Sequence, residues 1–381
     1  MSLKLKTKHE YMLVGGDYSA QEPRLTAYYS QDDNMLNAYK EGKDLYAVIA
    51  QSMYDNKYED NLEFYPEGTK IVFEGKEVIC GHKTHQNKSG KERRSQAKTV
   101  LLGLLYGRGA ASIAQQINKP YEEGQKIIDR FYKSFPKVKK WIDETMNNAR
   151  KTGYVEDWYG RRRHLPDIML PKYDIKDRNA SNLLINFNPF LGCADRTDTS
   201  SGIERYRKLL ENVKSRKQYE DIQAKALSEG IEIHDNGGFI SQSERQAVNS
   251  RVQGGAATLT KMAMLNIFKD EKLKELGFTL LITVHDEILG ECPKEKADEC
   301  AKRLSQVMID TAKPYLNVPM NCDTYVVPCW YLDEYTETVR KEFKDLVNSG
   351  MSNDDAFNKI VETRSESTLE NIHEILDPII K

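Results

Sequence analysis

Apolar and polar positions along this 381-residue chain repeat with two different periods. A short apolar run at residues 11–14, closed by Gly15-Gly16, reads as a strand. Residues 27–54 are helical in pattern. A polar, Gly- and Lys-rich stretch follows at 56–89, and its one alternating run, 69–79, predicts a hairpin strand. Helical periodicity returns strongly at 91–107, and residues 121–151 hold one or two further helices that end at Gly153. The pattern is weak and the charge mixed over 166–238, which reads as an insertion or a loose subdomain. A helix is predicted at 244–274. Apolar runs at 278–284 and 288–292 flank His285-Asp286-Glu287, the pattern of a β-hairpin. A helix at 294–312 and a final strand at 320–327 follow. From residue 332 onward the pattern is helical and acidic, with 12 Asp/Glu against 6 Lys/Arg, which suits a solvated helical pair or a docking surface.

Composition narrows the class. Lys and Arg number 56 against 58 Asp and Glu, a formal net charge of −2, and mean hydropathy is −0.67. No apolar run approaches the roughly 18 residues that a spanning helix needs, so a membrane class is not expected. The N-terminal MSLKLKTKHE has no apolar core of a signal peptide. The six cysteines are scattered without a CxxC pair, so reduced thiols in a cytoplasmic setting are expected. A net charge near zero argues against wholesale coating of nucleic acid but leaves room for a local basic groove.

Four segments could carry chemistry. In Gly16-Asp17-Tyr18-Ser19-Ala20-Gln21-Glu22-Pro23-Arg24 an aspartate ends an apolar strand, a position where rigid backbone holds a carboxylate for a metal; it is also an ordinary cap position. In Arg94…Lys98…Leu102…Tyr106 residues recur every four. Each step advances only about 40° around a helix, so the four form a slowly winding stripe. That stripe suits a triphosphate below and a base above, or simply a solvated basic helix end. His285-Asp286-Glu287 places adjacent carboxylates at a hairpin tip, a repulsion that a divalent cation relieves. Arg245, Asn249 and Gln253 lie four apart on one helix face. Their donors match the minor-groove acceptors N3 and O2, which are common to all base pairs; a plain polar helix face is the other reading. Cys80, His82 and His85 could contribute to a zinc site, but no fourth ligand stands at clear spacing.

Taken together and in this order, the four segments resemble the motifs of family-A DNA polymerases (the DNA polymerase I family). The likeness extends through 131–136, 153–156, 160–163 and 165–167. It implies an α/β (α+β) right-hand fold: a palm with a small antiparallel sheet, and largely helical fingers. Residues 1–55 and 243–331 would form the palm and 56–242 the fingers, with insertions at about 56–89 and 169–242; 332–381 is an acidic helical extension. The resemblance further implies a template-directed DNA polymerase in replication or repair, adding dNTPs to a primer 3′-hydroxyl with two Mg²⁺ ions. Asp17, Asp286 and the Tyr18 carbonyl would hold the metals, with Glu287 as a supporting carboxylate. Arg94 and Lys98 would clamp the β- and γ-phosphates, and Lys98 would protonate pyrophosphate. Glu22, held by Tyr106, matches a steric gate against a ribose 2′-hydroxyl. Arg245, Asn249, Gln253, His285 and Arg24 would meet primer–template DNA.

This sequence departs from that pattern in several places. Leu102 replaces the usual Phe or Tyr that stacks on the nucleotide. Tyr46, expected among the nucleotide-binding residues, replaces a histidine that reaches a phosphate, and Ala20-Gln21 replaces Gln-Ile. The family's thumb and 3′→5′ exonuclease have no counterpart here. The expectation is therefore a split, bacteriophage-type or truncated polymerase, cytoplasmic in a bacterial host, with a second polypeptide supplying those parts. A catalytically idle DNA-binding scaffold and a single-subunit RNA polymerase-like enzyme are the alternatives; Glu22 speaks against the latter.

Overall fold

The computed structural model describes residues 11–73, 76–177, 185–188, 193–196, 201–328, 330, 332–362, 372 and 376. The α/β class is borne out, and the chain divides into two compact units. A sheet unit comprises residues up to 19, 260–311 and 321 onward; a helical unit comprises 20–259 and 312–320. This grouping differs from the expected domains. The helices within 21–54 and the first part of the long helix Gly237–Lys269 belong to the helical unit, because their apolar faces share its core.

The sheet unit is built on four antiparallel strands in the spatial order Thr279–Val284, Glu287–Pro293, Tyr11–Tyr18, Cys322–Val327. The first strand therefore runs four residues past the predicted end, through Gly15-Gly16 to Tyr18. Those two glycines are not a stop; they make room. A Cβ on Gly16 would lie 2.8 Å from the Met308 sulfur, and one on Gly15 would lie 2.1 Å from Tyr325 Cζ. The close approach fixes the strand against Ala297–Ala312, the helix predicted at 294–312. Tyr18 completes that contact by donating its buried hydroxyl to the Met308 carbonyl at 2.7 Å. The predicted hairpin is present, turning at His285 and Asp286, with His285 in the left-handed region (φ 55°). The acidic tail forms Leu332–Asn348 and Asn353–Glu362, with an apolar cluster of its own around Val339, Phe343, Ala356 and Ile360.

In the helical unit, the single pattern read at 27–54 resolves into Gln21–Ser30, Asp33–Lys40 and Leu45–Tyr54. The breaks have local causes. Gln31 takes the left-handed conformation, and Asp32 and Asp44 cap the next helices by accepting backbone N–H bonds. Helix Lys88–Leu105 starts at an Asn87 cap and buries Ala97, Val100, Leu101, Leu104 and Leu105. Helices Tyr121–Ser134 and Pro136–Thr152 follow, the second ending at Gly153 as predicted. Arg251 pins three elements together. Its guanidinium lies over the Tyr29 and Trp141 rings and bonds the Glu156 carbonyl (3.1 Å) and Thr145 (2.9 Å).

The two segments read as insertions are structured. The first contains the hairpin Lys70–Phe73 with Lys76–Ile79, two strands where one alternating run was read. The described residues of the second are not loose. Strand Tyr173–Asp177 pairs with Ile231–Asp235, and helices Ser201–Glu211 and Arg216–Ser228 close a core of Ile175, Ile203, Tyr206, Leu210, Ile231 and Ile233. Its polar residues dilute the periodicity because one thin layer of side chains suffices for so small a core. Among the described residues, no helix is long and apolar enough to cross a membrane.

Leu101 is fully buried in the helical core. Leu101→Ala is expected to destabilise that unit by about 2–5 kcal/mol, read as an earlier urea transition by circular dichroism.

Candidate active site

Sheet register assembles the carboxylates. Asp17 stands directly opposite Glu287 on one neighbouring strand and opposite Asp323 on the other. Side chains opposite one another share a face, so three acids lie in a row across the sheet, with Asp286 beside them in the turn. The Tyr18 N–H lies 3.4 Å from the Asp286 carbonyl, which ties the hairpin tip to the end of the central strand. The Asp17 and Asp286 side chains are close enough to share a hydrogen bond. Partial burial first, then the charges of Asp286, Glu287 and Asp323, push the Asp17 carboxyl up to about 6.

The remaining carboxylates have polar partners. Asp323 accepts from Ser19 Oγ at 2.6 Å. Glu287 Oε1 accepts from the Tyr325 hydroxyl and from Trp330 Nε1, the latter at 3.3 Å. Asp323, Tyr325 and Trp330 escaped the sequence reading. The signal was there in part, since 323 and 325 alternate onto one face of the last strand, but only the register shows whose face it is.

This donor set fits a hard divalent cation. Mg²⁺ is held by one or two carboxylates, with water and substrate oxygens completing its shell. Asp17 and Asp286 form such a pair, and the raised Asp17 carboxyl marks negative charge that a cation would offset. Among the described residues, no three or more His, Cys, Asp or Glu are arranged to hold one ion. The Tyr18 side chain is buried.

The other predicted residues lie in the helical unit. Arg94 donates from Nε to Asp44 at 2.5 Å, and its guanidinium lies 5.1 Å from the centre of the Tyr46 ring. Tyr46 is buried. It is therefore a platform for Arg94, which corrects the expectation of a direct nucleotide contact. Lys98, one turn on, is exposed, and Leu102 is half-buried. Tyr106 caps the C-terminal end of that helix and donates its hydroxyl to Glu22 Oε2 at 2.9 Å. Burial and the Glu22 charge push the Tyr106 phenol up to about 12, so it stays a donor. The chain of bonds continues: Gln253 Nε2 lies 3.4 Å from the Tyr106 hydroxyl, and Asn249 Nδ2 donates to Gln253 Oε1 at 3.1 Å. The Asn249 Oδ1 is buried without a hydrogen-bond partner. Arg245 is exposed, its stem lying against Gly107, and His285 in the sheet unit is exposed at the hairpin tip.

Arg24 is a second correction. Its guanidinium is buried, donates to the Pro319 carbonyl and covers the Tyr39 ring at 4.4 Å. It is a structural pin and is not available to DNA.

The sequence profile of DNA polymerase family A matches residues 78–188 and 197–332, well over half of the chain. The chain belongs to DNA polymerase family A. This family-A chain is 28% identical over 320 residues to the thermostable DNA polymerase I of Thermus aquaticus, and 29% identical over 320 residues to that of Thermus thermophilus. The DNA polymerase I of Geobacillus stearothermophilus is 24% identical over 322 residues. Each alignment covers 84% of this chain but only 26–27% of the relative. The chain thus spans about a quarter of the length of these relatives. Among solved structures, the POL domain of Pol1 from M. smegmatis in complex with DNA primer-template and dNTP shares the fold. Its TM-score is 0.57 at 22% identity, covering 85% of this chain and 41% of that one. The family profile begins downstream of Asp17, so the place of Asp17 in this polymerase-family site rests on the sheet register.

A folded carboxyl raised from 3.8 to about 6 contributes stability that is full below about pH 4 and is lost as pH rises through 6. In EDTA, the melting temperature of the wild-type chain is expected to fall across that window and that of Asp17→Asn to fall less. Adding Mg²⁺ should recover the wild-type loss at pH 7.5 and have little effect at pH 4.5. Scanning fluorimetry across pH checks all three.

Proposed function

We propose that this chain catalyses nucleotidyl transfer as a template-directed DNA polymerase, adding dNTPs to a primer 3′-hydroxyl. The observation that carries the reading is the meeting of Asp17 and Asp286, unneutralised by any cationic side chain in the described ion pairs, at one end of the sheet. In this role the two aspartates hold two divalent cations. Mg²⁺ bound there would acidify the primer hydroxyl and offset charge on the departing pyrophosphate.

The chain's own groups do the rest. Arg94 is pre-aimed by Asp44 and Tyr46, and a triphosphate would compete with Asp44 for its guanidinium. Lys98, exposed on the same stripe, pairs with the phosphates and donates a proton to the pyrophosphate oxygen. Glu22 is held in place by the Tyr106 hydroxyl and crowds a 2′-hydroxyl, which selects deoxyribonucleotides. Arg245, Asn249, Gln253 and His285 read the shape of the primer–template minor groove. Leu102 offers the nucleotide an aliphatic surface where an aromatic ring would stack. The Glu22–Tyr106 bond favours this reading over a ribonucleotide polymerase. The paired carboxylates favour it over an idle scaffold, since binding DNA alone needs no metal ligands.

Mg²⁺-dependent extension of a short primer–template at low salt tests the reading. Asp286→Ala is expected to reduce extension by at least about 10³-fold and Lys98→Ala by about 10²–10³-fold. Equal extension by wild type and Asp286→Ala would overturn it. Glu22→Ala is expected to raise ribonucleotide incorporation at least about tenfold, measured as the ratio of rCTP to dCTP insertion opposite guanine; an unchanged ratio would remove Glu22 from sugar selection.

A further inference from the structure

The most constrained side chain near the carboxylates is one that the polymerase reading does not use. Tyr325 stands opposite Gly15 on the central strand, while Glu287 lies on the strand beyond, opposite Asp17. Tyr325 nevertheless reaches Glu287, donating its hydroxyl to Oε1. It can do so only because residue 15 has no side chain. A Cβ built on Gly15 would lie 2.1 Å from Tyr325 Cζ and 2.4 Å from its oxygen. The ring therefore crosses the central strand in the space that a side chain would fill. Trp330, itself buried, brings Nε1 to the same Glu287 oxygen at 3.3 Å.

Two donors thus converge on one carboxylate oxygen, and bonds to an ionised acceptor are about twice as strong as neutral ones. The other acids in the row are held differently: Asp323 by Ser19, just past the end of the central strand, and Asp17 by its neighbour Asp286. A hard cation gains from every anionic oxygen in reach. Glu287, one strand from Asp17, would be drawn in if it were free to turn.

We propose that Tyr325, backed by Trp330, is a positioning residue that withholds Glu287 from the divalent cations and so leaves Asp17 and Asp286 as the ligand pair. The inference rests on the polymerase reading of the site. It makes Gly15 and Tyr325 an interlocking pair: the bare glycine exists to let the phenol through.

A role in folding alone and a role in withholding Glu287 predict opposite signs. Mn²⁺ binding to the DNA-free, metal-stripped chain is measured by electron paramagnetic resonance, alongside primer extension over a Mg²⁺ titration. Tyr325→Phe keeps the ring and removes the donor. It is expected to bind Mn²⁺ about 3–10-fold more tightly while extension at saturating Mg²⁺ falls about 10–100-fold, the range for loss of a hydrogen-bond partner beside a metal site. Tyr325→Phe/Glu287→Gln should return Mn²⁺ affinity to the wild-type value or below. Gly15→Ala, which displaces the phenol, should reproduce the Tyr325→Phe tightening; if it does not fold, the Tyr325→Phe and Glu287→Gln comparison still decides. Unchanged or weaker Mn²⁺ affinity in Tyr325→Phe, or no Mn²⁺ binding by any variant, overturns the proposal. A wild-type chain that binds Mn²⁺ but extends no primer would remove the polymerase reading instead, and the Mn²⁺ comparison would still answer for Tyr325.

Discussion

Placing like charges side by side costs free energy, and the sheet of this protein does so deliberately. Antiparallel pairing sets Glu287, Asp17 and Asp323 in one row, and a two-residue turn adds Asp286. The backbone ladder must hold that row against its own repulsion, and the surrounding features follow from this need. The central strand is clamped by close contact at its glycines, Tyr18 is anchored into the helix behind, and two of the four acids are tied by hydroxyl or indole donors. The repulsion left over is concentrated on Asp17, whose carboxyl is raised toward neutrality. That residue of unfavourable charge is what makes the site a good host for a divalent cation.

The helical unit follows the same logic with opposite charge. Arginines do two different jobs there, and their partners separate them. Arg24, buried, and Arg251, half-buried, lie against aromatic rings and donate to backbone carbonyls, and they hold helices together. Arg94 also lies against an aromatic ring, but its other partner is a carboxylate and it stays partly open, so its bond to Asp44 is one that an incoming anion can replace. The line Asn249–Gln253–Tyr106–Glu22 then connects a polar helix face to the carboxylate proposed to sort sugars. A change at one end of such a line alters the geometry at the other without touching the substrate.

The segments outside the family's core motifs carry packing of their own. The 169–242 region closes a small core between a two-stranded sheet and two helices, and the tail beyond 332 does so between its helices. Among the described residues, neither contributes a carboxylate to the row.

How much of this was legible in the sequence differs by kind of information. Local signals sufficed for the hairpin around His285-Asp286, the helix carrying Arg94 and Lys98, the stop at Gly153 and the final strand. Each depends on periodicity or on a single turn or cap residue, which neighbours in the chain determine. The order of motifs was enough to indicate the family. Three things lay beyond local pattern. The strand through Gly15 and Gly16 was cut short, because glycine ends a strand locally yet here serves a neighbour 310 residues away in the chain. Arg24 and Tyr46 were assigned to ligands, because type and spacing say nothing of burial. Asp323, Tyr325 and Trp330 were passed over altogether. Sequence determined which residues form strands and helices and which chemistry they bring. Only tertiary structure decided which of them meet, because register pairs positions hundreds of residues apart and a shift of one position would send every side chain to the opposite face.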